Sequence, residues 1–468
     1  MSKVSQVCTL IVAALVLSAP AHSQTETEIE RAHRVAIWGS SVANGTGDEL
    51  AQGGYTGRLA ELLEPRGWSV INQSRGGDNT VTITPRFEPG ESPDPDTKYL
   101  TTVSPAYVVI GLSLGNEGIA QCQWGKSKGC TSSLADADKI YEQFATGMER
   151  LISRARAAGI TPIIALPYAR SDFSEREYGY TRRMNLLINS WDVPSVNLLG
   201  AIDDGQGRWG RGLWSDPLHP NAAGHTEMAH SFVPSLFAAL NSGKPTPKKS
   251  DSSRFMRVQT KGPPPLSLGV SDAMHSFAVS FMVRSRTDGV IAGISGQNLD
   301  HEYSNLRRSY GDFQWDTESL QLTPSDSSFA SSLSIHSGRI RYQDSNGNYI
   351  SSRVENSNDD WHYVTLSHSV ARGESSLFVD GELIGSVIER LQPESFDLGG
   401  ANADYKEWTI HRASLNSDEV AALHSGTLLQ ASLELYAPLA EDGANQAQSL
   451  SELTIDLSSA EFASDRNR

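Results

Sequence analysis

The chain has 468 residues, 38% of them hydrophobic, with 40 glycines and 21 prolines; this is the composition of a globular protein long enough for two or three domains, and it excludes gross disorder and collagen. Lys and Arg number 39 against 55 Asp and Glu, so the formal charge is −16 and no basic field exists to neutralise a phosphate backbone. Nucleic acid is therefore excluded as an expected partner.

At the N-terminus Lys3 precedes an apolar run over residues 7–17, too short to span a bilayer, and the small residues of 18–23 suit cleavage. Residues 1–23 are expected to be an export signal, which makes the protein secreted or periplasmic with no membrane span. Cys8 leaves with that segment. The remaining pair, Cys122 and Cys130, would be joined in an oxidising compartment, two free thiols being the alternative. Two cysteines alone do not make a zinc site, and no metal-ligand pattern is read.

From Arg34 to Leu240 short apolar runs alternate with helical spacing. Residues 35–38, 70–71, 107–110, 163–166 and 196–199 predict strands. Ile140, Phe144, Met148, Leu151 and Ile152 recur at helical intervals, as do Met184, Leu187, Ile188 and Trp191. A further helix is expected after Asn221, with His225 and His230 on it in packing or surface roles. The pattern predicts an α/β domain over 24–240, a parallel sheet covered by helices on both faces. Residues 241–265 carry five prolines and little apolar content and are expected to form a linker. Over 266–468 the period changes to two, clearest at Phe277, Val279, Phe281 and Val283, and Asn346-Gly347 and Asp380-Gly381 read as hairpin turns. The second half is expected to be all-β.

In an open α/β sheet, chemistry sits beyond the carboxyl ends of the strands. The loops there hold Gly39, Ser40 and Ser41 after the first strand, Arg75, Gly76, Gly77 and Asp78 after the second, and Gly111 to Gly118 with Asn116 after the third. A fourth loop contains Asp216 three residues before His219. A hydroxyl, glycine amides, a carboxamide, and a carboxylate near an imidazole are what acyl transfer requires: nucleophile, oxyanion donors, orienting acid and base.

These four blocks resemble those of the SGNH or GDSL-type hydrolases, over about residues 35–240. The resemblance implies a three-layer, flavodoxin-like fold. It implies Ser41 as nucleophile, the Ser41 amide with Gly77 and Asn116 as oxyanion hole, and Asp216 and His219 as the rest of the triad. No cofactor is required. One departure stands in the first block, which usually reads Gly-Asp-Ser and here is Gly39-Ser40-Ser41. A rival nucleophile is Ser113, in Gly111-Leu112-Ser113-Leu114-Gly115, which satisfies the elbow pattern of α/β-hydrolases. An elbow opens straight into a long helix, however, and the glycines after Ser113 disfavour one.

Phe277 to Val283, Trp361 to Val364, Leu377 to Gly381, Phe396 to Gly400, the segment beginning at Asn416 and the strand-like run 433–438 resemble the laminin G-like or concanavalin A-like lectin sandwiches. Domains of that kind bind sugars or calcium or only pack against a neighbour, and no ligand is assigned; Tyr303, Tyr310 and Trp315 are expected to fill the core, with stacking on sugar rings as the alternative. Together the two resemblances imply an exported esterase that removes small acyl groups from a carbohydrate or polysaccharide. The alternatives are a catalytically silent carbohydrate-binding or adhesion protein and, among enzymes, a lipase or thioesterase.

Overall fold

The computed structural model describes residues 28, 30–119, 137–259, 262–285, 287–310, 313–352 and 360–464. The expected export signal and the Cys122 and Cys130 pair lie outside the described residues. Among those described, no helix is long and apolar enough to cross a membrane.

Five parallel strands build the first sheet: β1 (Arg34–Gly39), β2 (Ser69–Asn72), β3 (Tyr107–Gly111), β4 (Thr161–Ala165) and β5 (Ser195–Val196), in the order β2-β1-β3-β4-β5. The near-continuous apolar runs of β1, β3 and β4 follow from burial on both faces, whereas β2 is the half-exposed edge strand. Val35 and Ile37 join one core with Leu59 and Leu63 of α1 (Gly54–Leu63), while Ala36 and Trp38 join another with Phe144, Met148 and Leu151 of α3 (Ala137–Ala157). A short α2 (Leu114–Glu117) follows β3, and α4 (Glu175–Asn189) opens with a capping box between Ser174 and Glu177. The strand order reverses at β1 and β3, the point where such sheets open a crevice.

The run 196–199 does not continue as a strand. The Asn197 carboxamide oxygen accepts the Gly200 amide at 2.9 Å, and the chain turns into α5 (Leu199–Ile202). Two very short strands, β6 (Trp214–Asp216) and β7 (His219–Pro220), then pair with each other and lead into α6 (Ala222–His230), capped by the Asn221 side chain, and α7 (Leu236–Asn241).

The second half holds two antiparallel sheets around one core. The first runs β17 (Glu382–Ile388), β16 (Glu374–Val379), β15 (His362–Ser369), β10 (Phe277–Ser285), β19 (Ala403–His411), β8 (Arg254–Val258) and β22 (Ala460–Ser464), with β20 (Leu433–Ala437) beside β19; the second runs β14 (Tyr349–Ser351), β13 (Arg339–Gln343), β12 (Phe313–His336), β11 (Gly289–Tyr310), β18 (Leu391–Leu398), β9 (Leu266–Gly269) and β21 (Leu453–Ile455). Phe277, Val279, Phe281 and Val283 of β10 (Phe277–Ser285) point inward to meet Leu333 and Ile335 of β12 (Phe313–His336) and Phe396 and Leu398 of β18 (Leu391–Leu398). The expected linker contains a strand, β8 (Arg254–Val258), because Phe255, Met256 and Val258 are buried in the sandwich; the surrounding prolines and lysines hide that short apolar signal. One helix, α8 (Ser417–His424), interrupts the β pattern and is capped by Asn416 and Glu419. At the tip between β16 (Glu374–Val379) and β17 (Glu382–Ile388), Asp380 and Gly381 have φ of 53° and 84°, as the expected hairpin turn needs. Asn346-Gly347 differs: only Gly347 has positive φ, and the loop winds around the Asp344 carboxylate, which accepts the Asn346 and Asn348 amides.

The element least expected is the β11–β12 hairpin. The base of β11 (Gly289–Tyr310) pairs with β18 over residues 292–298, but from Leu299 to Tyr310 it pairs with β12 alone. This two-stranded arm leaves the sandwich and lies against the α/β half.

Candidate active site

The loop after β1 winds in tight turns, with the Asn44, Gly45 and Thr46 amides bonded to the Ser40, Val42 and Ser41 carbonyls. Ser40, standing where the family pattern has Asp, is fully buried and donates its amide to the Gly111 carbonyl at 3.0 Å, which ties the end of β1 to the end of β3. Ser41 is thereby presented at the switch point.

Asp216 and His219 are cross-strand partners in the β6–β7 hairpin. Asp216 Oδ1 accepts the Leu218 amide at 2.8 Å, an Asx turn that places the carboxylate toward His219. His219 Nδ1 lies 2.8 and 2.9 Å from the two carboxylate oxygens, and its Nε2 lies 3.0 Å from Ser41 Oγ. With Nδ1–H donated to the carboxylate, the Nε2 lone pair faces the serine hydroxyl. The two loops interlock at Gly47. Its φ is 98°, and a Cβ there would stand 2.1 Å from the Pro220 carbonyl and 3.0 Å from His219 Cβ.

The groups expected to act as oxyanion donors are Ser41, Gly77 and Asn116. Among the described residues, neither the Ser41 nor the Gly77 amide has a hydrogen-bond acceptor. Gly77 has a φ of 83°, a conformation that favours glycine. Asn116 Nδ2 gives one hydrogen to the Asp78 carbonyl at 3.0 Å, which leaves its second hydrogen free. The loop holding Gly77 is braced from below: buried Asp78 pairs with buried Arg86 and with Arg75, and Glu117 accepts both the Thr80 hydroxyl at 2.6 Å and the Thr80 amide at 2.9 Å. Arg75 and Asp78 thus shape the loop.

Ser113 is not with this group. Its side chain is buried at the N-cap of α2, where Oγ accepts the Asn116 amide. His225 Nδ1 accepts the Tyr55 amide and its Nε2 donates to the Thr46 carbonyl, both at 3.1 Å, and so pins the serine loop to α1. Burial lowers the pKa of His225 to about 4, which keeps it neutral. His230 lies at the other end of α6, apart from the relay.

Sequence reasoning missed the arm. The Leu320 amide donates to the Gly212 carbonyl at 2.8 Å, and Asn221 Nδ2 bridges the carbonyls of Gly212 and Glu318 at 2.8 and 3.2 Å. Leu320 is buried in the core of the α/β half, with Tyr303 and Leu322 packed on it. Arg211, just before β6, pairs with Glu318 and lies 4.1 Å over the Tyr303 ring. Arg308 reaches the Gly47 carbonyl at 3.1 Å. Tyr303 therefore serves the interface between the halves and not the sandwich core, and Trp315 is half-buried on the arm. The Tyr310 side chain lies outside the described residues.

Residues 37–226 match the model of the GDSL-like lipase/acylhydrolase family. No curated protein matches the chain. Three solved structures show weak overall likeness. A GDSL-like lipase from Bacteroides thetaiotaomicron VPI-5482 is 14% identical over 48% of this chain and 98% of its own, with a TM-score of 0.31. The acetylxylan esterase Axe2 from Geobacillus stearothermophilus is 14% identical over 42% and 90%, at 0.30. A heptameric SAP-like pentraxin from Limulus polyphemus is 11% identical over 46% and 95%, at 0.29. Scores of this size carry no argument, so the weight falls on the family match and on the serine, imidazole and carboxylate within hydrogen-bond reach of one another. The α/β half is a GDSL-like acylhydrolase domain, and the chain that carries it is a serine ester hydrolase.

Proposed function

We propose that the protein deacylates a carbohydrate, with Ser41 as nucleophile, His219 as base and Asp216 as the group that orients His219. The observation that carries this reading is the 3.0 Å contact from His219 Nε2 to Ser41 Oγ at the sheet's switch point, backed by the Asp216 carboxylate. As Ser41 Oγ bonds to the ester carbonyl carbon, its proton passes to His219 Nε2. The carbonyl oxygen becomes an anion and meets the Ser41 and Gly77 amides and the free Asn116 hydrogen. Collapse breaks the carbon–oxygen bond to the alcohol, which leaves with the proton from His219. Water then gives its own proton to His219, adds to the acyl carbon and releases the carboxylic acid, which restores Ser41. Every proton transfer runs through these side chains and no cofactor enters.

A sugar as the alcohol partner is supported by the arm. Phe313 and Trp315 stack with ring centroids 6.1 Å apart, and Phe313 is 49% exposed. Trp315 is the cross-strand partner of Arg308, so it shares the face from which Arg308 reaches Gly47, beside His219. Exposed aromatic faces at the rim of a site suit the apolar faces of sugar rings. The sandwich, similar to laminin G-like and concanavalin A-like lectins, would hold the same polymer in a chain exported from the cell, where Cys122 and Cys130 would be bridged.

The test is mass-spectrometric mapping of a fluorophosphonate adduct, followed by release of acetate from acetylated oligosaccharides and of p-nitrophenol from acetyl and longer acyl esters. Label on Ser41 with preference for acetylated sugars is the expected result. Label on Ser113 would reject the nucleophile, and a preference for long acyl chains would reject the carbohydrate.

A further inference from the structure

The seam between the two halves holds a second cluster of chemistry-bearing side chains that the acyl-transfer site does not use. Glu227 and His230 stand one turn apart on α6, on the same helix face, and His275 approaches them from the segment just before β10. Among the described residues, these three offer ligand atoms that all lie within 4.8 Å of one another. Glu227 is buried, and so is His275.

Their hydrogen bonding does not close. His275 Nδ1 is 2.9 and 3.2 Å from the two Glu227 oxygens, while its Nε2 is 3.2 Å from Gln392 Oε1. Both ring nitrogens thus face acceptors, and a neutral imidazole has a single N–H to give. His230 Nδ1 is buried with no hydrogen-bond partner and sits 3.6 Å from Glu227 Oε2. Arg412, beside this cluster, is bonded to the His230 carbonyl at 3.1 Å, to Glu434 at 3.4 Å and to the Ala273 carbonyl. Among the described residues, the buried His230 Nδ1 is thus left without a hydrogen-bond partner beside a buried carboxylate.

We propose that Glu227, His230 and His275 bind a zinc ion that ties the two halves of the chain together. Ligand atoms around a tetrahedral zinc lie about 3.3 Å apart, given bonds of about 2.0 to 2.1 Å; Glu227 Oε2 lies 3.2 Å from His275 Nδ1 and 3.6 Å from His230 Nδ1, and the ligand atoms of the three residues all lie within 4.8 Å of one another. Two nitrogens and a carboxylate oxygen are a donor set zinc accepts. Gln392 supplies what a ligating histidine needs behind it, an acceptor on the other ring nitrogen that fixes the tautomer. The fourth position has access to water, since His230 also lines a cavity of about 410 Å³ with Arg58, Glu61 and Asp272. Zinc binds the neutral imidazole, so protons compete with it for these ligands and binding weakens as pH falls. Two ligands come from the α/β half and one from the sandwich; the ion therefore acts on the docking of the halves and takes no part in acyl transfer.

The experiment uses full-length, tag-free protein, stripped by chelator and then titrated with Zn²⁺ alone, with Mg²⁺ and Ca²⁺ as controls. Expected are one zinc per chain in competition with a chromogenic chelator and a rise in Tm of several degrees with Zn²⁺ only. His230→Gln should abolish stoichiometric binding. Gln392→Leu keeps all three ligands and should weaken zinc about 10- to 100-fold while leaving the zinc-free Tm near that of the parent. The proposal is overturned if the stripped parent takes up no zinc, or if His230→Gln and Gln392→Leu both bind it as tightly as the parent. Either result would make the cluster a protonated histidine–glutamate pair.

Discussion

The two walls of the proposed active site are held by different means. The wall of Ser41, Gly77 and Asn116 grows from the carboxyl ends of three adjacent parallel strands, of which β1 and β3 are buried and β2 is the half-exposed edge. The wall of Asp216 and His219 is a hairpin of three and two residues, outside the main sheet, pressed from behind by the β11–β12 arm through Leu320, Asn221 and Arg211. The first wall is rigid by virtue of its own domain. The second borrows rigidity from a domain that contributes no group to the relay, so the four catalytic blocks are complete in sequence well before the structure that positions them is.

Substitutions can separate the two walls. On the first, Ser41→Ala should lower kcat on p-nitrophenyl acetate by about three to six orders of magnitude with an unchanged melting temperature. Asn116→Ala should cost about 100- to 1,000-fold in kcat with little change in KM, since its second hydrogen bond strengthens only as the oxyanion forms; a raised KM at constant kcat would assign it to substrate binding instead.

The second wall should respond through stability and geometry together. Leu320→Ala removes a buried side chain at the seam and should destabilise the protein by about 2 to 5 kcal/mol. The folded fraction should show kcat reduced about 10- to 100-fold, because small displacements of a catalytic group are costly. Unchanged turnover in folded Leu320→Ala would show that the hairpin carrying His219 stands by itself. For the same reason a chain cut near Leu240 is expected to lose small-ester activity or precipitate, as it would expose the core that Leu320 and Ala371 now cover. Arg211→Ala tests the exposed part of the contact; the Arg211–Glu318 pair is solvated and should be worth under about 1 kcal/mol, detectable by chemical denaturation and not by activity.

Acid should act on both halves alike. Burial lowers His225 and His411 to about 4 and His368 to about 3. The unfolded chain takes up protons at these positions near pH 6.5, whereas the folded one refuses them until lower pH. Their stabilisation is thus full above pH 6.5 and drains as pH falls toward 4. Melting curves between pH 7.5 and 4.5 should show a steady fall in Tm, and His225→Gln should flatten part of it.

Much of this was legible in the residues themselves. The apolar runs that end in Gly39 and Gly111 mark strands buried on both faces, and the Asx turn at Asp216 needs only the local order Asp-Pro-Leu-His. Local chemistry of that kind survives in one dimension. The arm left no such trace, because the described residues of 299–324 stand largely in solvent and lack the alternation a sheet core imposes. It docks through backbone groups of Leu320, Glu318 and Gly212, which any residue carries. The strand at Arg254–Val258 was concealed by the prolines and lysines around it, and the helix at Leu199–Ile202 by apolar residues that suit either conformation. The sequence by itself determined which side chains could perform acyl transfer and on which strand ends they sit, since those follow from residue type and short-range pattern. Only the tertiary structure decided what holds His219 in place and that Glu227, His230 and His275 meet, because contacts between residues about 50 to 100 positions apart depend on how whole layers pack, and packing is not written in any local run of residues.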